Sequence, residues 1–177
     1  ALSDKRVQLI TFAGRSFDIP VVMNRSLLYG FPFARFFSRD GGDYRYRYAA
    51  GPHIDLMDQL SEFGSARRAQ LGDLVRLFGF PGKMAGDGSK VAGLMAAGRV
   101  EEVATYNLED LVEQAALFLR WLRLRGDLSA AAYTRAADKL IAFMAGEPRL
   151  APLFAATDTE RFRTVDAWEP EGTPVAA

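Results

Sequence analysis

Apolar residues recur along this chain with two periods, and the switches between them mark its elements. Val7-Gln8-Leu9-Ile10-Thr11-Phe12 is short, apolar and rich in β-formers, which predicts a buried strand. Ala13-Gly14 breaks it. Ser16 is placed to cap a helix starting near Phe17, with Pro20 tolerated in the first turn. Ile19, Val22, Met23, Ser26 and Leu27 then follow helical spacing up to Gly30, a helix-ending residue. His53-Ile54-Asp55-Leu56-Met57 predicts a second strand that opens into a helix through Leu60. Leu71, Leu74, Val75 and Phe78 predict a helix ended by Gly79. Val91, Leu94 and Met95 predict a short one stopped at Gly98. Val103, Leu108, Leu111, Val112, Ala115, Leu119 and Leu122 fit one long helix that ends at Gly126. Ser129 is a fair N-cap for a last helix carrying Tyr133, Ala137, Leu140, Ile141 and Met144.

The segments between these elements have their own patterns. Residues 31–39 form an aromatic loop with Phe31, Phe33, Phe36 and Phe37, and Asp40-Gly41-Gly42-Asp43 reads as a turn. Tyr44-Arg45-Tyr46-Arg47-Tyr48 alternates strictly. In an extended chain it would put three tyrosines on one face and two arginines on the other. Such a ladder offers stacking faces and cations together, as single-strand binders do; the competing reading packs its tyrosines on the Phe31–Phe37 cluster. Beyond Thr157 the sequence is polar, with Pro170 and Pro174. The expected organisation is therefore one domain over residues 1–156 and a flexible tail over residues 157–177.

Composition narrows the class. The 177 residues are 49% hydrophobic and 25% charged, enough apolar material for one domain with a core. There is no cysteine, which excludes disulfides and thiolate metal sites. No apolar run approaches the roughly 18–20 residues of a membrane span. Polar, charged first residues predict no signal peptide, and a cytoplasmic protein is expected. The sequence starts at Ala1 rather than Met, so either a Met was trimmed or this is a piece of a longer polypeptide. Net charge is zero, but residues 1–48 carry eight basic and four acidic side chains, and residues 157–177 carry five acids against two arginines. The basic end suits an anionic partner such as nucleic acid, although charge alone favours a solvated surface.

Two places carry candidate chemistry. Tyr106 and Asp110 are four apart within the long helical pattern, so they share one face, a phenol beside a carboxylate that can orient water at a metal ion. Asp18 stands in the first turn of a helix that follows a strand, where the helix dipole favours a carboxylate and where open α/β sheets gather their catalytic groups. His53 is the only histidine and makes no metal site alone. Asp55 is expected as a helix cap that could also line the same cleft. The glycine-rich stretch 79–90 is not a nucleotide P-loop, because Gly82-Lys83 is followed by Met84 instead of Ser or Thr.

Taken in order, Phe17-Asp18 after a strand and glycine turn, His53-Ile54-Asp55-Leu56-Met57-Asp58, Gly79-Phe80-Pro81-Gly82-Lys83 and the Tyr106–Asp110 pair resemble the predicted 3′–5′ exonucleases related to the proofreading domain of family-B DNA polymerases. These form part of the tyrosine subclass of the DEDD superfamily. The resemblance covers about residues 7–155. It implies an α/β, ribonuclease-H-like fold and a two-metal site for Mg²⁺ or Mn²⁺, in which four carboxylates hold ions that activate water and stabilise the leaving oxygen. By the same resemblance Asp18 matches the second exonuclease motif, and Tyr106 and Asp110 match the third, all three catalytic, with Asp18 and Asp110 as metal ligands. Arg15, Ser16, Phe17, Lys83 and Lys90 are the expected nucleic-acid contacts, the lysines touching phosphates.

The sequence departs from the family pattern twice. The first motif, Asp-x-Glu on an opening strand, belongs upstream of Val7, where six residues stand. Asp158-Thr159-Glu160 is an Asp-x-Glu, but Pro152 and the alanines before it argue against a central strand there. Ala13 occupies a position where the family usually has Asn. The expectation is a helix-dominated remnant of the fold whose sheet edge is covered by a missing segment, a partner or a second copy. Its expected activity is metal-dependent 3′–5′ hydrolysis of single-stranded DNA ends, with RNA the alternative partner, weak or absent in this chain. The alternatives are a binding module without catalysis and a structural interaction domain.

Overall fold

The computed structural model describes residues 7–37, 44–48, 51–82 and 91–166. The chain forms two compact units, residues 1–69 and 70–177.

In the first unit, strand β1 (Leu9–Thr11) pairs in parallel with β2 (His53–Asp55), in register Leu9 with His53, Ile10 with Ile54 and Thr11 with Asp55. Parallel strands need a long crossover, and this one contains helices α1 (Asp18–Tyr29) and α2 (Ala34–Phe37). β2 is buried throughout and runs directly into α3 (Leu56–Leu60), followed by a 3-10 turn over Glu62–Gly64. The strand-to-helix transition predicted around residues 53–60 is thus present. The expected cap on α1 is different. Phe17 holds the N-cap position without a side-chain bond, and the Ser16 hydroxyl donates to the Ala13 carbonyl instead. Gly30 ends α1 in the left-handed conformation (φ 69°) as the sequence predicts. The tyrosine ladder is not extended. Residues 44–48 form turns, with Tyr44 buried against Phe36 (ring centroids 6.2 Å apart) and Tyr46 and Tyr48 exposed. The Asp40–Asp43 turn lies outside the described residues.

The second unit is helical: α4 (Leu71–Arg76), α5 (Val91–Ala96), α6 (Val100–Leu124), α7 (Ala130–Gly146), a 3-10 turn (Pro148–Leu150), α8 (Ala151–Ala156) and α9 (Thr159–Arg163). Its buried side chains include Val75, Phe78, Phe80, Val112, Leu117, Trp121, Tyr133, Met144, Leu153 and Phe162. Ser129 caps α7, accepting from the Ala132 amide at 3.2 Å. The predicted long helix and its capped successor are therefore both present.

Within the stretch read above as a flexible tail, Thr159–Arg163 is helical. Asp158 accepts from the Arg161 amide and caps α9, and Phe162 is fully buried among Phe78, Phe80 and Tyr133. Arg120 lies over the rings of Phe78 and Tyr133 and donates to the carbonyls of Arg161, Phe162 and Thr164. The guanidinium and the Tyr133 hydroxyl, which donates to the Phe162 carbonyl at 2.7 Å, thus meet carbonyls that lack an intrahelical partner at the end of α9. Asp158 is spent on that cap, not on an opening strand. Among the described residues the chain is helix-dominated with one two-stranded sheet, and no helix is long and apolar enough to cross a membrane.

Candidate functional site

The turn after β1 is built around Asp55. Its Oδ1 accepts from the amides of Ala13 (2.9 Å) and Met57 (3.1 Å), and its Oδ2 accepts from the amide of Arg15 (2.9 Å). One carboxylate therefore both caps α3 and fixes the turn that delivers α1. Ala13 sits in that turn with φ 61°, a left-handed conformation disfavoured by its Cβ. Asn tolerates this conformation better than Ala. Gly14 packs against Thr11, whose hydroxyl contacts His53 Nε2 at 2.8 Å. Burial, and next the positive charge of Arg15, push the His53 side chain down to about 4, so it is neutral at physiological pH.

Arg15, expected as a nucleic-acid contact, is engaged within the first unit. Its guanidinium donates to the carbonyls of Tyr44 (3.1 Å) and His53 (2.9 Å), and more weakly to those of Arg45 and Tyr46. It also lies 3.7 Å from Asp58, which is paired with Arg47 as well. Asp55 and Asp58 are thus committed to amides and arginines. Ser16, Phe17 and Asp18 are exposed at the entrance of α1, and Asp18 stands in its first turn, the position predicted for it.

In the second unit, Tyr106 and Asp110 are half-buried one turn apart on α6. Glu109 stands beside Asp110, and Glu113 follows one turn after Glu109, buried to 3% exposure. Burial first, then the charges of Asp110 and Glu109, push the Glu113 carboxyl up to about 7; Arg76 and a bond from the Gly82 backbone oppose them. Arg76 on α4 donates to the Pro81 carbonyl at 3.0 Å, so α4 and α6 together hold the start of the glycine-rich stretch. Glu113 is the residue that sequence reasoning missed. Its signal was present: an acid between Val112 and Ala116, inside the apolar stripe. Lys83 and Lys90 lie outside the described residues.

A family model for predicted 3′–5′ exonucleases related to the exonuclease domain of PolB matches residues 1–161. The chain belongs to this family. No curated protein and no solved structure matched it. As an exonuclease-like domain it brings Tyr106 and Asp110 to one helix face, while Asp18 belongs to the other unit. Among the described residues, no three His, Cys, Asp or Glu side chains are grouped to hold a metal ion. In the first unit, the carboxylates of Asp55 and Asp58 are already engaged by backbone amides and arginines. The described residues alone do not fit a two-metal centre.

Proposed function

We propose that this chain is the helix-rich part of a ribonuclease-H-like 3′–5′ exonuclease that removes nucleotides from single-stranded DNA or RNA ends with Mg²⁺ or Mn²⁺. The observation that carries this reading is the Tyr106–Asp110 pair, one turn apart on α6 within the span the exonuclease family matches. Asp18, exposed on the first turn after the β1 strand, supports it. In this reading Asp18 and Asp110, each within its own unit, are the carboxylates that would serve as metal ligands, and the described residues do not complete the set. The Tyr106 phenol hydrogen-bonds the attacking water or a phosphate oxygen beside Asp110 and holds it in line.

A 5′-labelled single strand incubated with the full-length protein and Mn²⁺ tests this. The expected result is stepwise shortening from the 3′ end, abolished by chelator and by Asp110→Asn, and slowed by Tyr106→Phe. Absence of metal-dependent shortening, or shortening unchanged by Asp110→Asn, would overturn it.

A further inference from the structure

Three features of the first unit converge on residues 44–48 and 62–63. Tyr46 and Tyr48 are 54% and 60% exposed. Their ring centroids stand 6.0 Å apart at 70°, and Tyr48 lies 4.9 Å from Phe63 at 55°. Rings tilted this far leave faces uncovered by one another. The guanidinium of Arg47 lies 5.7 Å from the Tyr48 centroid and 6.0 Å from that of Phe63, while its pairing with Asp58 fixes it in place. Arg45 is exposed beside them, over the ring of Phe37.

The backbone under these rings is held at a cost. Glu62 and Phe63 are consecutive non-glycine residues with φ of 47° and 57°, a left-handed pair that L side chains disfavour and that surrounding structure must impose. On the other side, Arg15 grips the carbonyls of Tyr44, Arg45 and Tyr46 and so fixes the segment that presents the tyrosines. Arg15 thereby sets residues 44–46 from beneath, while the rings of Tyr46 and Tyr48 are exposed and that of Phe63 is half-buried.

We infer that Tyr46, Tyr48 and Phe63, with Arg47 among them, form a stacking platform for the unpaired bases of a single-stranded nucleic acid. Aromatic faces with interleaved guanidinium groups are what sequence-tolerant strand binding uses: rings stack on bases and cations meet the phosphates. Residues 44–48 carry two arginines and no acid. Asp58 beneath them is shared between Arg15 and Arg47, and Glu62 is the exposed acid at the edge. The charge therefore suits a polyanion. None of the platform residues is Asp18, Tyr106 or Asp110, so the platform retains a strand independently of its cleavage. The inference rests on the reading of the chain as one that acts on single strands, and its test avoids metal so that the two can fail separately.

Fluorescence anisotropy of a labelled oligo-dT, in chelator and low salt with the full chain, reads the platform directly. Tyr48→Ala should weaken binding about 5- to 100-fold, the worth of one stacked base. Tyr46→Ala should weaken it similarly. Tyr48→Phe, which keeps the ring, should bind like wild type. Because both tyrosines are exposed, the alanine variants should keep the wild-type circular dichroism spectrum and thermal midpoint. Absence of oligo-dT binding by wild type, or equal binding by the folded Tyr46→Ala/Tyr48→Ala double variant, would overturn the platform. Metal-dependent shortening by the wild type reads the nuclease assignment on its own.

Discussion

Replacing Asp55 by alanine would strip the acceptor from three backbone amides at once, those of Ala13, Arg15 and Met57. Buried donors left unpaired cost on the order of 1–3 kcal/mol each. Relaxation and water will recover some of this, so Asp55→Ala should lose about 3 kcal/mol of stability in a urea titration. A loss below about 1 kcal/mol would show that the turn is held by something else. Ala13→Asn tests the same turn from the other side. It should gain about 0.5–1 kcal/mol, because Asn accepts the left-handed conformation that Ala13 is forced into; a loss of stability would show that the site has no room for the amide. The functional face of this segment was only partly legible. Asp18 could be placed on a first helical turn from spacing alone. The internal partners of Arg15, expected only as a nucleic-acid contact, could not be read, because they are backbone carbonyls of residues about thirty to forty positions away, and carbonyls leave no trace in side-chain pattern.

Among the elements, the long ones were readable and the short ones were not. α6 and α7 declare themselves through several turns of apolar periodicity, and α7 through the Ser129 cap as well. The tyrosine alternation misled because period 2 describes a strand only where a neighbouring strand accepts its backbone bonds, and residues 44–48 turn instead, held by Arg15. α9 is five residues long, too short for a period to show, and its one aromatic stands in a polar run. Yet Phe162 is fully buried against three other rings. Phe162→Ala should therefore cost about 3–5 kcal/mol, measured by thermal or urea unfolding. A cost under about 1 kcal/mol would mean that α9 is peripheral to the core of residues 70–177.

At the scale of the whole molecule, the two units respond to pH with opposite sign. His53 titrates at about 4 when folded and at 6.5 ordinarily. Between those values the unfolded chain binds a proton that the folded one refuses, so the first unit loses stability as pH falls from about 6.5 to about 4. Glu113 titrates at about 7 when folded and at 4.5 ordinarily. The folded chain there keeps a proton the unfolded one has released, so this contribution is full below about 4.5 and is lost as pH rises through about 7. Hydrogen-exchange protection of the intact chain, corrected for intrinsic rates, should fall on acidification in peptides from residues 7–69. It should rise in peptides from residues 91–166, and Glu113→Gln should flatten that second response. Parallel changes in both sets of peptides would contradict the opposed titrations.

The close approach of Gly79 to Asp158 reaches beyond this one chain. Gly79 has φ 102°, and a Cβ there would stand 2.4 Å from the Asp158 carbonyl oxygen, while the Asp158 amide donates to the Gly79 carbonyl at 2.8 Å. No side chain at position 79 is compatible with α9 seated where it is. Across descendants and cousins of this sequence, glycine at 79 and the segment that ends in Phe162 should therefore be inherited together. A lineage that sheds that segment removes the clash at position 79, while the backbone at φ 102° still favours glycine there.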